Sequence, residues 1–233
     1  MRESTIQSVS SVVLYVLGSV VVGICLYPGL TLTWWLWEAG AGWEPAGRLL
    51  LASLGLGATY FLYGMSLLLV TAGLYRALGL RVHPGEYAYF SVESLKWVLG
   101  SSLHLVVKVT FMDFLVLSPW LTIYFRWMGA RLGNGVLINS KYVHDVCLLE
   151  VGAGTVIGGE AVISCHAAEK GKLILKPVRI GNRCLIGQRS ILMPGVEIGD
   201  GAVVGAQALV LKDQKIPAGE TWVGIPARRK DDL

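Results

Sequence analysis

From residue 180 onward aliphatic side chains recur at every sixth position: Ile180, Ile186, Leu192, Ile198, Val204, Val210 and Ile216. Four places after each of the first five stands a small or apolar residue: Cys184, Ser190, Val196, Ala202 and Ala208. Gly follows the aliphatic directly at 181, 187, 199 and 205. A six-residue period of this kind predicts a parallel β-helix, in which three hexads make one triangular coil. The aliphatics stack as a ladder along the prism axis with the small residues beside them. Gly or Asn is expected at the corners, where φ > 0 is needed. The same phase runs upstream through Leu132-Gly133, Ile138-Asn139, Val151-Gly152, Ile157-Gly158 and Ile163-Ser164. It slips by one residue between His144 and Val151 and breaks between Ile163 and Ile180. Roughly twelve hexads, about four coils, fit between 132 and 221.

The first half follows a different pattern. Residues 4–37 carry no charge, between Glu3 and Glu38, and residues 49–75 carry none between Arg48 and Arg76. Each run exceeds the ~20 residues that cross the hydrocarbon of a bilayer. The first is far longer than the h-region of a signal peptide. Both read as transmembrane helices, with Trp34, Trp35, Trp37 and Trp43 suited to an interfacial aromatic belt. Gly55, Gly57 and Gly64 suit close helix contacts. Between the helices, 38–47 holds Glu38 and Glu44 and no Lys or Arg, whereas Arg2 precedes the first helix and Arg76, Arg81 and Lys96 follow the second. The positive-inside bias therefore puts both termini and the β-helix in the cytoplasm, and the chain in the cytoplasmic membrane.

Residues 82–128 join the two patterns. A Pro84-Gly85 turn opens the stretch, and Lys96, His104, Lys108 and Asp113 then interrupt apolar sequence at mostly helical intervals. Two interfacial amphipathic helices broken near Pro119 are expected, with a re-entrant hairpin as the alternative. The predicted organisation is two transmembrane helices in 1–80, interfacial helices in 81–128 and the β-helix in 129–233: a membrane-anchored α + all-β chain.

Composition sharpens this reading. Of the 233 residues 54% are apolar and 15% charged, which excludes an ordinary soluble domain. Cys25, Cys147, Cys165 and Cys184 have no metal-binding spacing and read as buried hydrophobes in a reducing compartment. The net charge of +4 comes with no nucleic-acid motif. Basic residues at 170, 172, 176, 179, 183 and 189, and again at 228–230, suit the phosphates of a bound ligand, an anionic substrate, lipid headgroups or a solvated surface.

Two of the four histidines, His144 and His166, fall where the repeat breaks. His166 opens a 14-residue interruption, His166 to Arg179, that must project from the prism. A His at the base of such a loop suits a general base near neutral pH or a histidine satisfied by the backbone. Asp145 could orient a His, or His144 and Asp145 are corner residues. Two histidines are too few for a three-histidine zinc site, so no metal is expected.

The run Ile180-Gly-Asn-Arg-Cys-Leu-Ile-Gly, its continuation through Leu192-Met-Pro-Gly-Val-Glu-Ile-Gly, and the closing Gly224-Ile-Pro-Ala-Arg228 resemble the hexapeptide-repeat acyltransferases, whose fold is a left-handed parallel β-helix. Gly85-Glu-Tyr87, Lys96-Trp97 and Arg126-Trp-Met-Gly-Ala-Arg131 are similar to a membrane-anchored branch that includes C-terminal domains of ε-poly-lysine synthetase-like proteins. The resemblance implies His166 as the base. It also implies acetyl-CoA or another acyl-CoA as co-substrate, CoA contacts at Gln188, Ala206, Lys212 and Arg228, an acceptor-binding role for Asn139, and a homotrimer. Gln207 and Ala208 depart from the family's Gly-Ala-Gly-Ser run. The expected activity is O- or N-acetyl transfer to a membrane-proximal or lipid-linked acceptor. The alternatives are aminoacyl transfer from a carrier-bound thioester and a catalytically silent β-helix scaffold in a membrane complex.

Overall fold

A computed structural model describes residues 3–232, with the side chains of 3–11 left out. Arg2, used above for orientation, lies outside the described residues. The chain forms two compact units. One holds the chain up to Leu74 together with Ser102–Phe111, and the other holds Tyr75–Ser101 and everything from Met112 onward.

The helical elements are α1, Glu3–Ala39, α2, Pro45–Ala77, α3, Val92–Thr110, and α4, Pro119–Trp127. Val12–Ala39 and Pro45–Ala77 are long and apolar enough to cross a membrane, with mean hydropathies of 2.1 and 1.5. Within the first unit, small residues bring α1 and α2 together. A Cβ on Gly55 would sit 3.0 Å from the Thr33 backbone, and the hydroxyls of Thr33 and Thr59 lie 2.8 Å apart. Gly64 accommodates the Phe111 ring, whereas Gly57 meets nothing within 4 Å, so that glycine makes no helix contact. Pro119 is the first residue of α4, as its missing N–H favours. The expected helices of the middle stretch are α3 and α4, but Gly85–Ala88 is a β-strand, which a local reading of 82–128 does not contain.

In the second unit the hexads build a prism with three faces. The first face stacks Arg131–Leu132, Leu149–Val151, Val178–Ile180, Glu197–Ile198 and Lys215–Ile216 in parallel. The second stacks Leu137–Ile138, Val156–Ile157, Leu185–Ile186, Val203–Val204 and Thr221–Val223, capped by the antiparallel Arg228–Arg229. The third stacks Val162–Ile163, Ile191–Leu192 and Leu209–Val210, with Val143 bridging Ile163. Four coils are complete and a fifth has two sides. The partners Ile180, Ile198 and Ile216 recur at 18 residues, three hexads per coil. Leu132 pairs with Val151, one residue more, and Val151 with Ile180, eleven more, where the sequence slips and breaks. All seven aliphatics from Ile180 to Ile216, and the five small or apolar residues beside them, are buried.

The glycines after the aliphatics do a different job from the one expected. Positive φ falls two places later, and side-chain-bearing residues often take it: Arg183 at 52°, Arg189 at 56°, Gln207 at 59° and Asp213 at 60°. Gly181 and Gly187 are needed because coils stack too closely for a Cβ, which at Gly187 would lie 2.4 Å from the Ala206 nitrogen. Gly187→Ala is therefore expected to cost about 3 kcal/mol by forcing two coils apart. Gly201→Ala, at φ 68° with nothing within 4 Å, should cost only about 1 kcal/mol of backbone strain. Equal denaturant midpoints for the two variants would contradict this packing argument.

The interruption after Ile163 folds as an antiparallel hairpin, His166–Glu169 with Lys172–Leu175. Its two-residue turn, Lys170-Gly171, has φ of 48° and 77°, the positive values a type I′ hairpin turn requires. Gly85–Ala88 adds as a third strand against Lys172–Leu175, and Leu173 and Leu175 are buried. Ion pairs at Lys176–Asp213 (2.6 Å), Lys212–Glu169 and Lys172–Glu86 (3.1 Å) tie the hairpin to the corner two coils further on and to that strand.

Candidate active site

The hexad corners form three edges of the prism. The edge leading from the third face to the first carries both breaks in the repeat, and so carries His144, Asp145 and His166. Asp145 takes the left-handed conformation (φ 55°, ψ 49°), and a short 3-10 turn, Val146–Leu148, follows. This is the extra residue of the slip, accommodated as a bend that turns the Asp145 side chain toward His166.

The imidazole and the carboxylate meet at 2.5 Å, Nδ1 to Oδ2. The Asp145 side chain is 1% exposed and that of His166 is 28% exposed. The other carboxylate oxygen accepts from Trp97 Nε1 at 2.6 Å, and the Trp97 ring lies edge-on to the imidazole at 4.9 Å. Asp145 is thus buried with a donor on each oxygen, the arrangement a desolvated carboxylate needs. On the remaining side, the Ser164 hydroxyl donates to the His166 carbonyl at 3.0 Å, and the His144 ring stands at 90° to His166 with centroids 6.0 Å apart.

Burial disfavours the imidazolium of His166, but the hydrogen bond and negative charge of Asp145 outweigh it and hold the pKa above the usual histidine value. With Nδ1 donating to Asp145, Nε2 is the nitrogen left to accept a proton. A partly exposed imidazole, fixed in tautomer by a buried carboxylate, is an oriented general base. The thiols of Cys147, Cys165 and Cys184 are pushed up by burial, Cys165 well above its usual range, so they are not thiolate nucleophiles. Among the described residues, no three His, Cys, Asp or Glu gather as a metal site.

The remaining candidates are distributed differently. Asn139 and Gln188 lie on the edge between the second and third faces, where they line a cavity of about 380 Å³ with Lys141, Tyr142 and Glu160. Ala206 shares that edge, its neighbour Gln207 donating its amide to the Gln188 carbonyl at 2.8 Å. Lys212 is on the His166 edge, with its ammonium engaged by Glu169 of the hairpin. Arg228 is exposed in the antiparallel strand that caps the second face. One chain therefore gathers His166, His144 and Asp145, and leaves Asn139, Gln188 and Ala206 on another edge. Trp97 is the residue that spacing alone does not find. Its contact with Asp145 crosses 48 residues, and the Lys96-Trp97 pair of the resemblance is its one signal in the sequence.

Residues 177–210 match the family model for the hexapeptide repeat of succinyl-transferase. Over 145 residues, the chain is 31% identical to YvoF of Bacillus subtilis, provisionally named an acetyltransferase, covering 61% of this chain and 81% of that protein. It is 32% identical over 138 residues to WcaF of Escherichia coli, provisionally named a colanic acid biosynthesis acetyltransferase, covering 48% of this chain and 74% of that one. It is 25% identical over 165 residues to the delta-poly-L-ornithine synthetase of Acinetobacter baumannii, covering 71% of this chain but 12% of that much longer protein.

Proposed function

Since this chain belongs to the hexapeptide-repeat acyltransferases, we propose that it is a membrane-anchored, left-handed β-helix enzyme that moves an acetyl group from acetyl-CoA to a hydroxyl or amine, with His166 as the general base. The observation that carries the catalytic role is the Trp97–Asp145–His166 chain of hydrogen bonds, which aims a partly exposed imidazole. Nε2 takes the proton from the acceptor, whose oxygen or nitrogen attacks the thioester carbonyl. The C–S bond then breaks, and the proton held by His166 passes to the departing CoA thiolate. Gln188, Ala206, Lys212 and Arg228 are the proposed CoA contacts, with Asn139 on the acceptor side and His144 in support.

The anchor is supported by the outward apolar side chains of α1 and α2, including Val12, Leu30, Leu49, Leu54 and Phe61, which water would disfavour over that length. Arg76 lies in the last turn of α2 and Arg81 follows it, so the catalytic unit is proposed on the cytoplasmic side of the cytoplasmic membrane. A lipid-linked or envelope-polysaccharide acceptor fits that position. A homotrimer is supported by the chemistry of the prism faces. The first face presents an in-register ion-pair ladder, Arg131–Glu150–Arg179–Glu197–Lys215. The other two present Leu137, Leu185 and Ile191, exposed at 48%, 47% and 41%. Packing copies through the two apolar faces buries those side chains, leaves the charged face in water and sets residues of neighbouring copies side by side.

A second reading, aminoacyl transfer from a carrier-bound thioester, draws on the likeness to the poly-ornithine synthetase. Thermal unfolding of the detergent-purified chain with CoA separates the readings. At a hundredfold excess over its Kd, CoA should stabilise by about 2.7 kcal/mol, and light scattering should give three times the chain mass. A monomer overturns the trimer. No stabilisation at millimolar CoA overturns the acetyl-CoA reading and favours the carrier-dependent or scaffold roles.

A further inference from the structure

A cavity of about 420 Å³ opens where the last turn of α2, the end of α4 and the first strand of the prism meet, all within the second unit. Its walls carry four guanidinium groups, from Arg76, Arg81, Arg126 and Arg131, together with Tyr75 and Trp127. Its size is within the roughly 300–1,000 Å³ of small-ligand clefts.

Most of the charge in this cavity is positioned without being neutralised. Arg76 Nε donates to the Trp127 carbonyl at 2.9 Å, and Arg126 donates to the carbonyls of Leu132 and Gly133 at 3.1 and 3.0 Å. Backbone carbonyls orient these guanidiniums, but they carry no net charge. Of the four, only Arg131 has a carboxylate partner among the described residues, Glu150 at 3.2 Å. Arg81 makes no hydrogen bond or ion pair among them, and no acidic side chain lines the cavity. Each guanidinium has five N–H donors in a planar fork, so most of these donors are uncommitted. Several forks around one cleft, pinned in place and short of counter-charge, match the tetrahedral oxygens of a phosphate.

We propose that this cavity binds a phosphate group, as a monoester or diester. Anion binding rests on the cavity itself; the lipid source rests on the membrane anchoring proposed above, since the cavity includes the last turn of α2. An acidic phospholipid headgroup, or the phosphate of a lipid-linked acceptor, would enter with its phosphate oxygens against the four arginines. Its lining includes none of Trp97, Asp145 and His166, so its occupant either orients the enzyme on the membrane or holds the acceptor by its phosphate.

Native mass spectrometry and thermal shift of the full detergent-purified chain test this, with dioleoyl phosphatidylglycerol, diacylglycerol of the same chains and inorganic phosphate as probes. The phosphate-bearing lipid should be retained at least tenfold better than diacylglycerol, and Arg81→Gln should erase about tenfold of that preference. Arg81 is exposed and unbonded, so its replacement leaves the fold in place; Arg126→Gln is the second variant. A shift with inorganic phosphate that equals the lipid's and is lost in Arg81→Gln assigns the cavity to a soluble phosphate. A shift with the lipid alone assigns it to a headgroup. Equal retention of the two lipids with no effect of phosphate, or a preference that neither arginine variant alters, overturns the proposal. None of these readouts depends on acyl transfer, so they can fail independently of the catalytic reading.

Discussion

His166→Ala is expected to lower acetyl transfer about 10²- to 10⁴-fold, the range a positioned general base contributes, while CoA still binds. The imidazole is the partly exposed member of the Trp97–Asp145–His166 chain and the one able to reach a substrate proton. The substitution also strips a hydrogen-bond partner from a carboxylate that is 1% exposed, which should cost ~1–3 kcal/mol of stability. His166→Gln restores a donor near Asp145 without restoring a base. A loss of turnover shared by both variants, with the stability loss smaller in His166→Gln, separates chemistry from folding. Turnover equal to wild type in both would move the base elsewhere, first to His144.

Asp145→Asn should lower turnover by a similar order, about 10³-fold, with the structure nearly intact. An amide can donate to Nδ1, which lets the wrong tautomer form and turns Nε2 from acceptor to donor. The pH dependence follows from the raised pKa of His166. Below that pKa the ring is protonated and cannot accept, so kcat/KM should rise with pH through a value above the ordinary histidine range of about 6.5. Removing the Asp145 charge removes what holds the pKa up, leaving burial to push it down, so the acid limb should move to lower pH as the plateau falls. Stability runs in the opposite sense. A pKa raised on folding contributes stability that is fully present below about pH 6.5 and lost as pH rises through the folded value. The advantage of wild type over Asp145→Asn should therefore shrink as pH rises above about 6.5 and through the raised folded value.

The ladder from Ile180 to Ile216, the slip before Val151 and the projecting break at His166 were legible because a coil repeats locally, every 18 residues. The pairing of Gly85–Ala88 with Lys172–Leu175 was not. It joins segments some ninety residues apart, and four residues that begin on the Gly of a Pro-Gly pair carry no period of their own. The purpose of the glycines was misread for a related reason. Sequence spacing locates a corner but does not tell whether a glycine there relieves φ or makes room for the coil above. At Gly187 it makes room, and Arg189 two places on takes the positive φ. In the sequence Asp145 reads as a corner residue or as an orienting carboxylate, and only the fold shows it buried between Trp97 and His166. Nothing in the spacing of the hexads tells which edge a residue lies on once an insertion has shifted the count, so the placing of Asn139 and Gln188 on a different edge from His166 was not legible.

The measurement that tests the account most directly is the pH dependence of CoA thiol release from acetyl-CoA, for wild type and Asp145→Asn in lipid nanodiscs with a lipid-linked sugar extract as acceptor. The account predicts a wild-type acid limb centred above pH 6.5, shifted to lower pH in the variant, on a plateau lower by about three orders of magnitude. Thiol release with no acid limb near neutrality, or a limb and plateau unchanged by the substitution, would contradict it.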